Sequence, residues 1–289
     1  MKALTCVICS TRTWQVTWNN FRTHLLQVTG SDLCLSIGVS QGYDFNNPLF
    51  DNAKYKFLYP EPADYGHAFD AACAMSGATP NWRQLLKIKD IWLGGIEDPK
   101  YQQISGSAIP IFYRWWLCNN LRMHGLLDKY DWFIMTRSDN FFEYDHVKLS
   151  ELDPDYIYMP ESEDYGGIQD RHIVVSKKLV LAALDIADPM IHHADDTFDG
   201  LYPLQPINIE RYQKYVYDCR GLTGRIVRFP RMMYLVKGAA DSSRWSHGVF
   251  EPRCNKIIKY HSEFELVWAN KHKTLMPVMS RVPVMRPDI

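Results

Sequence analysis

The chain is predicted to be an α/β fold built on a mixed, mainly parallel central sheet flanked by helices, and three observations predict it. An apolar run, Phe133-Ile134-Met135, breaks off into Arg137-Ser138-Asp139-Asn140; the first forty residues run strand, helix, strand; and no internal repeat or low-complexity tract interrupts the pattern. A run that is apolar at consecutive positions suits a strand covered on both faces. In an open α/β sheet, ligands gather beyond the carboxyl ends of such strands. A carboxylate there holds a divalent cation against a diphosphate, or simply caps the next turn, and the segment by itself leaves both readings open.

Taken in order, residues 4–9 read as the first strand, and Ser10-Thr11-Arg12-Thr13 as a turn. Residues 14–28 read as a helix, with Trp14, Trp18, Phe21, Leu25 and Val28 on one face. Residues 33–39 form the second strand, and the βαβ order favours a parallel, right-handed unit. Residues 40–62, rich in Asn, Asp, Pro, Gly and Tyr, read as a long loop at the ligand edge. Helices follow at 63–75 and 81–90, and a long one at 102–127 is started or interrupted by Pro110. After the central strand come a strand at 156–159, the polar turn at 161–167, and a strand at 172–175. Ser176 is placed as the cap of a helix over 177–186. A helix at 208–219 and extended segments at 225–229 and 233–236 complete the clear pattern. From residue 239 the signal is weak, with Trp245, His247, His261 and His272 in mixed sequence, and this part reads as a tail wrapped on a single domain.

Composition excludes several partners. The net charge of −1 gives no basic field for nucleic acid or an anionic membrane. No run approaches the roughly 20 apolar residues of a membrane span, and the start of the chain reads as a strand rather than a secretory signal. With 46% hydrophobic residues, 289 residues suffice for a sizeable core in one large domain. Seven cysteines cannot all pair and show no framework spacing, which favours a reducing, cytoplasmic compartment. Cys6-Val7-Ile8-Cys9 has redox-motif spacing, but it lies inside an apolar strand, where a structural role is favoured over a redox or metal site.

Together, Ser10-Thr11-Arg12 after the first strand, the long helix into Tyr130-Asp131-Trp132-Phe133-Ile134, then Arg137-Ser138-Asp139, then Tyr165-Gly166-Gly167-Ile168-Gln169-Asp170-Arg171 resemble nucleotide-sugar glycosyltransferases of the GT-A fold. The similarity is greatest to enzymes that build bacterial capsule or surface glycans and the glycans of large algal viruses, and it spans about residues 1–220. It implies a GT-A, Rossmann-like fold over residues 1–289, with the nucleotide-binding part at about 1–145 and the acceptor side and tail at about 146–289. It also implies a nucleoside diphosphate sugar donor such as a UDP-sugar, an oligosaccharide or glycoprotein acceptor, and Mn²⁺ or Mg²⁺ as cofactor. A viral source would place the enzyme in the host cytoplasm.

The resemblance carries over residue by residue, with one departure. The acid-x-acid metal motif appears as Ser138-Asp139-Asn140, or one residue earlier as Arg137-Ser138-Asp139, and only one carboxylate survives in either register. Asp139 then stands as the metal ligand, with Arg137 either neutralising the diphosphate, so that metal is dispensable, or ion-paired to Asp139. Gly166 and Gly167 match the glycine-rich loop that approaches sugar or phosphate. Asp170 matches the acid that takes the acceptor's proton in inverting members, the alternatives being a pair with Arg171 or a cap. Arg12 and Ser138 fall where nucleotide contacts lie, although a surface Arg serves equally well at position 12. Glu210 faces the acceptor or favours a helix start, and His261, preferred over His247, stands as the late metal-binding histidine. A binding module that keeps the fold without turnover is the reading of a different class.

Overall fold

The computed structural model describes residues 1–89, 92–98, 107–161, 163–238, 246–270 and the backbone of 280–281. Its strands are β1 (Ala3–Cys9), β2 (Ser31–Val39), β3 (Tyr55–Pro60), β4 (Trp132–Thr136), β5 (Asn140–Phe142) and β6 (Ile157–Pro160), followed by β7 (Ile173–Ser176), β8 (Ile226–Phe229), β9 (Met233–Lys237), β10 (Val249–Glu251), β11 (Lys256–Ile258) and β12 (Ser280–Arg281). Eight of them form the main sheet in the order β12-β8-β6-β7-β4-β1-β2-β3. The β4-β1-β2-β3 half is parallel throughout, whereas β7 runs antiparallel to both β4 and β6. This is the mixed, mainly parallel sheet flanked by helices that the GT-A resemblance implies.

The central strands feed two cores. Leu4, Cys6 and Ile8 of β1 and Phe133 and Met135 of β4 point into one, while Ala3, Val7, Trp132 and Ile134 point into the other. The two-residue alternation of strand side chains explains why consecutive apolar positions occur here, with Thr5 and Thr136 the buried polar exceptions: both faces are covered. The helix Ala108–Met123 packs on the first face, and Pro110 falls in its first turn, where a missing N–H costs no helical bond. On the second face Trp14–Phe21 continues through a widened segment, Arg22–Gln27. Asp64 caps Tyr65–Ser76 by accepting from Gly66 N at 2.7 Å, and Gly77 closes that helix at φ +68°.

Three expectations are corrected. Residues 40–62 are not one long loop: they contain the helix Pro48–Asn52 and the edge strand β3, whose flanking Asn, Asp and Pro hid it. Ser176 caps no helix, because it ends β7 and donates to Pro154 O, while the helix behind it is only Val180–Leu184. The segment beyond residue 239 is more than a tail. There β10 and β11 join β9 and β5 in a second sheet, order β10-β11-β9-β5, covered by the helix His261–Asn270. Asp90, residues 102–106, Trp245 and His272 lie outside the described residues. Among the described residues, no helix is long and apolar enough to cross a membrane.

Candidate active site

Register brings the candidate residues to one edge. Val7 of β1 pairs with Thr136 at the end of β4, so the loops after both strands leave the sheet side by side. Because β7 is antiparallel, its start at Ile173 lies beside Met135, and the segment Gln169-Asp170-Arg171-His172 arrives at the same edge. Two turns there are strained: Cys9 and Thr13 at either end of the β1 loop, and Tyr165 before the glycines, have φ of 72°, 63° and 46°. Non-glycine residues in this region are uncommon and cluster at functional sites.

Asp139 is buried and gripped by two arginines. Arg12 Nε donates to its Oδ2 at 3.0 Å, while Arg137 donates from Nε to Oδ1 at 3.0 Å and from Nη2 to Oδ2 at 2.8 Å. Burial alone would raise the Asp139 pKa, but Arg12 and Arg137 hold it well below the usual carboxylate range. Both oxygens are therefore engaged, and the ion pair between Arg137 and Asp139 weighed from the sequence is present. Ser138 braces the loops rather than facing outward, its Oγ lying 3.0 Å from Ser10 O and 2.9 Å from Arg12 O.

The second sheet delivers a residue that the sequence reading missed. Val236 N donates to Asp139 O at 3.0 Å, and Lys259 N donates to Leu235 O at 2.8 Å, so β5, β9 and β11 pass Lys259 to the back of Asp139. Lys259 is 8% exposed, and its Nζ has no hydrogen-bond partner among the described residues. Burial, reinforced by Arg137, lowers its pKa to about 7. The sequence around it, Lys256-Ile257-Ile258-Lys259, is an apolar pair between two lysines and does not single out Lys259.

Asp170 stands opposite. Arg171, the alternative partner weighed from the sequence, turns instead to Glu263, which it meets at 2.8 Å while Arg231 meets the same carboxylate at 2.6 Å. No described side chain hydrogen-bonds or ion-pairs with Asp170. Glu210 is close enough to feel it: burial first, and then Asp170's charge, raise the Glu210 pKa to about 7. Gly167 makes this approach possible, since a Cβ there would lie 2.1 Å from the backbone C and O of Glu210. Its close approach is to the start of the helix Ile209–Cys219, where Ile168 N donates to Glu210 O at 3.0 Å. Gly166 has φ +79° and open surroundings, with only Arg211 methylenes near.

His261 lies elsewhere in the second sheet region. With Glu251 and Glu265 it brings three ligand atoms within 4.8 Å of one another. Arg253 spans that trio, donating to Glu251 from Nε and Nη2 at 2.8 Å each and pairing with Glu265. One guanidinium thus already offsets half of the charge of the two glutamates. Cys9 sits beside the arginines, but burial pushes its thiol up to about 12, the opposite of a reactive cysteine. A cavity of about 340 Å³ lined by Asn20, His24, Phe141, Glu143, Tyr234 and Arg253, among others, shares no residue with the Asp139 and Asp170 cluster.

No family model matches the sequence, and no curated protein is significantly similar to it. Solved structures similar to this chain include mouse xyloside xylosyltransferase 1 in its apo form, with a TM-score of 0.41 and 8% identity over 78% of this chain and 84% of that one.

Proposed function

We propose that this chain is a glycosyltransferase that moves a sugar from a nucleoside diphosphate donor to a carbohydrate hydroxyl, with inversion at the anomeric carbon. The observation that carries the reading is the pairing of an unpartnered carboxylate, Asp170, with a basic cluster at the same sheet edge, close enough that Asp170 and Arg137 interact electrostatically. One side suits a proton acceptor and the other a departing diphosphate. Asp170 takes the proton of the acceptor hydroxyl as its oxygen bonds to the anomeric carbon. The bond from that carbon to the diphosphate oxygen breaks, and its electron pair leaves on the diphosphate. Glu210, raised to about 7, holds a proton for part of the neutral range and so eases the crowding of two carboxylates.

In this reading residues 1–289 act as one unit, with Arg12, Arg137, Ser138 and Asp139 on the nucleotide side and Asp170, Gly166 and Gly167 on the acceptor side. The acceptor is an oligosaccharide or glycoprotein, and the product a surface glycan. The Mn²⁺ or Mg²⁺ that the resemblance implies would screen the diphosphate, but the donor set fits it poorly at Asp139, where both oxygens face guanidinium groups.

A screen of nucleotide sugars by thermal shift tests the reading, because a ligand that binds only the folded state raises the melting temperature. At least one donor is expected to stabilise the protein and to be hydrolysed slowly without acceptor. Stabilisation with no turnover on any acceptor would favour a binding module. A product whose anomeric configuration is retained by NMR would sink the inverting assignment.

A further inference from the structure

We infer that the guanidinium pair of Arg12 and Arg137, anchored on Asp139 and joined by Lys259, takes the place of a divalent cation as the receptor for the donor's diphosphate. The inference rests on the nucleotide-sugar reading above and adds how the leaving group is held. Four observations carry it.

The only acid left in the motif does not offer a metal its oxygens, because Oδ1 accepts from Arg137 and Oδ2 accepts from both arginines. A cation at Asp139 would have to displace two guanidinium groups and then sit among three positive charges.

The arginines have capacity left. Among the described residues, Arg12 Nη1 and Nη2 and Arg137 Nη1 have no partner, and the two side chains are 38% and 19% exposed, so their free edges reach the opening of the site. A guanidinium held by a carboxylate on one edge presents its other N–H groups in a fixed fork, the geometry that binds phosphate oxygens.

Lys259 has no hydrogen-bond partner although it is almost fully buried, a costly arrangement unless an anion meets it. Its stacking neighbour is the ring of Tyr260, 5.6 Å away, which leaves the ammonium directed to no carboxylate.

The sign of the charge also fits. Arg12, Arg137 and a protonated Lys259 outnumber Asp139 and the nearby Asp170, so the cluster stays net positive toward a diphosphate diester, which carries about one negative charge per phosphate. Arg171, the next cation, is already committed to Glu263. Asp139 is then a positioning residue: it orients both arginines and touches no substrate.

The test is calorimetric titration of UDP, GDP, ADP, CDP, UMP and inorganic pyrophosphate into the full-length protein, once with EDTA and once with saturating Mn²⁺. At least one nucleoside diphosphate is expected to bind with affinities within about threefold of each other in the two conditions, and more tightly than its monophosphate. Arg12→Ala, Arg137→Ala and Lys259→Met are each expected to lose roughly tenfold or more, the scale of a charge-assisted hydrogen bond. Asp139→Asn, checked for folding by its melting curve, is expected to weaken binding by the same factor with EDTA and with Mn²⁺, because it loosens both arginines and removes no metal ligand. Binding that appears only with Mn²⁺ and disappears in Asp139→Asn would overturn the inference while leaving the glycosyltransferase reading intact. No binding of any nucleoside diphosphate or pyrophosphate in either condition would overturn both.

Discussion

His146 Nε2 and His172 Nε2 lie 3.1 Å apart in the core, packed against the rings of Phe142 and Phe229, and their outer nitrogens fix the proton between them. His146 Nδ1 faces Val147 O at 2.8 Å and must donate, so its Nε2 accepts from His172. His172 Nδ1 then accepts from Thr136 Oγ1 at 3.0 Å, and Thr136 accepts from Asn140 Nδ2 at 3.1 Å. Both rings are neutral, and the chain of bonds runs from the loop that carries Asp139 into the middle of the fold.

Burial lowers His146 from 6.5 to about 4 and places His172 well below its ordinary value. A base depressed in the folded state stabilises the fold fully above its unfolded pKa, and this contribution is lost as pH falls from 6.5 toward the folded value. For His146 the loss is on the order of 3 kcal/mol, from about 1.4 kcal/mol per pH unit. The melting temperature is expected to drop between pH 6.5 and 4, and His146→Gln, which keeps an acceptor for His172, to show a shallower acid limb. Parallel acid limbs for the two proteins would remove His146 as a cause.

Glu210 has the opposite sign. Its raised pKa of about 7 means that the fold favours the neutral acid. Its contribution is complete below its ordinary 4.5 and is lost as pH rises through about 7. Glu210→Gln is therefore expected to match the native protein in melting temperature near pH 4 and to exceed it at pH 8. A constant difference across that window would mean that burial and the charge of Asp170 do not favour the neutral acid at Glu210.

Asp170→Asn tests the chemistry. Donor affinity is expected to stay nearly unchanged while transfer falls roughly 10²-fold or more, the contribution of a positioned base. A proportional loss of affinity and turnover would give Asp170 a binding role instead.

Gly167→Ala is expected to destabilise the protein by about 1–3 kcal/mol, since its Cβ would meet Glu210 backbone at 2.1 Å and helix and loop would have to part. Gly166→Ala meets no such contact, and its cost is the left-handed backbone alone, about 1–2 kcal/mol. Only the first is expected to reduce transfer further than its stability loss explains, because it moves Asp170 relative to Glu210. Equal kinetics for the two variants at matched stability would count against that coupling.

The central strand was legible because its constraint is local: a strand covered on both faces is mostly apolar at consecutive positions, and Phe133, Ile134 and Met135 say so in sequence. The edge strand β3 was hidden because an edge is covered less, so Tyr55, Lys56 and Tyr59 look like loop residues. Arg137 beside Asp139 could be read from their two-residue separation, yet nothing local brings Arg12 to the same carboxylate. Lys259 was beyond reach for a related reason. Its burial comes from β9 pairing with β5 and β11, contacts separated by more than ninety residues of chain between β5 and β9, whereas its neighbours in sequence are those of an ordinary surface strand.

The route that brings Lys259 to Asp139 has a consequence for the order of events during synthesis. Arg12 and Arg137 emerge early from the ribosome, and the strands that carry them pair before the second sheet is complete. The last of the three charges exists only when β11 has left the exit tunnel and joined β9. A nascent chain stalled before residue 246 is therefore expected to hold the β4-β1-β2-β3 half of its sheet and still to bind nucleoside diphosphate more weakly than the released protein. Equal binding by the stalled and released chains would show that the late lysine is dispensable.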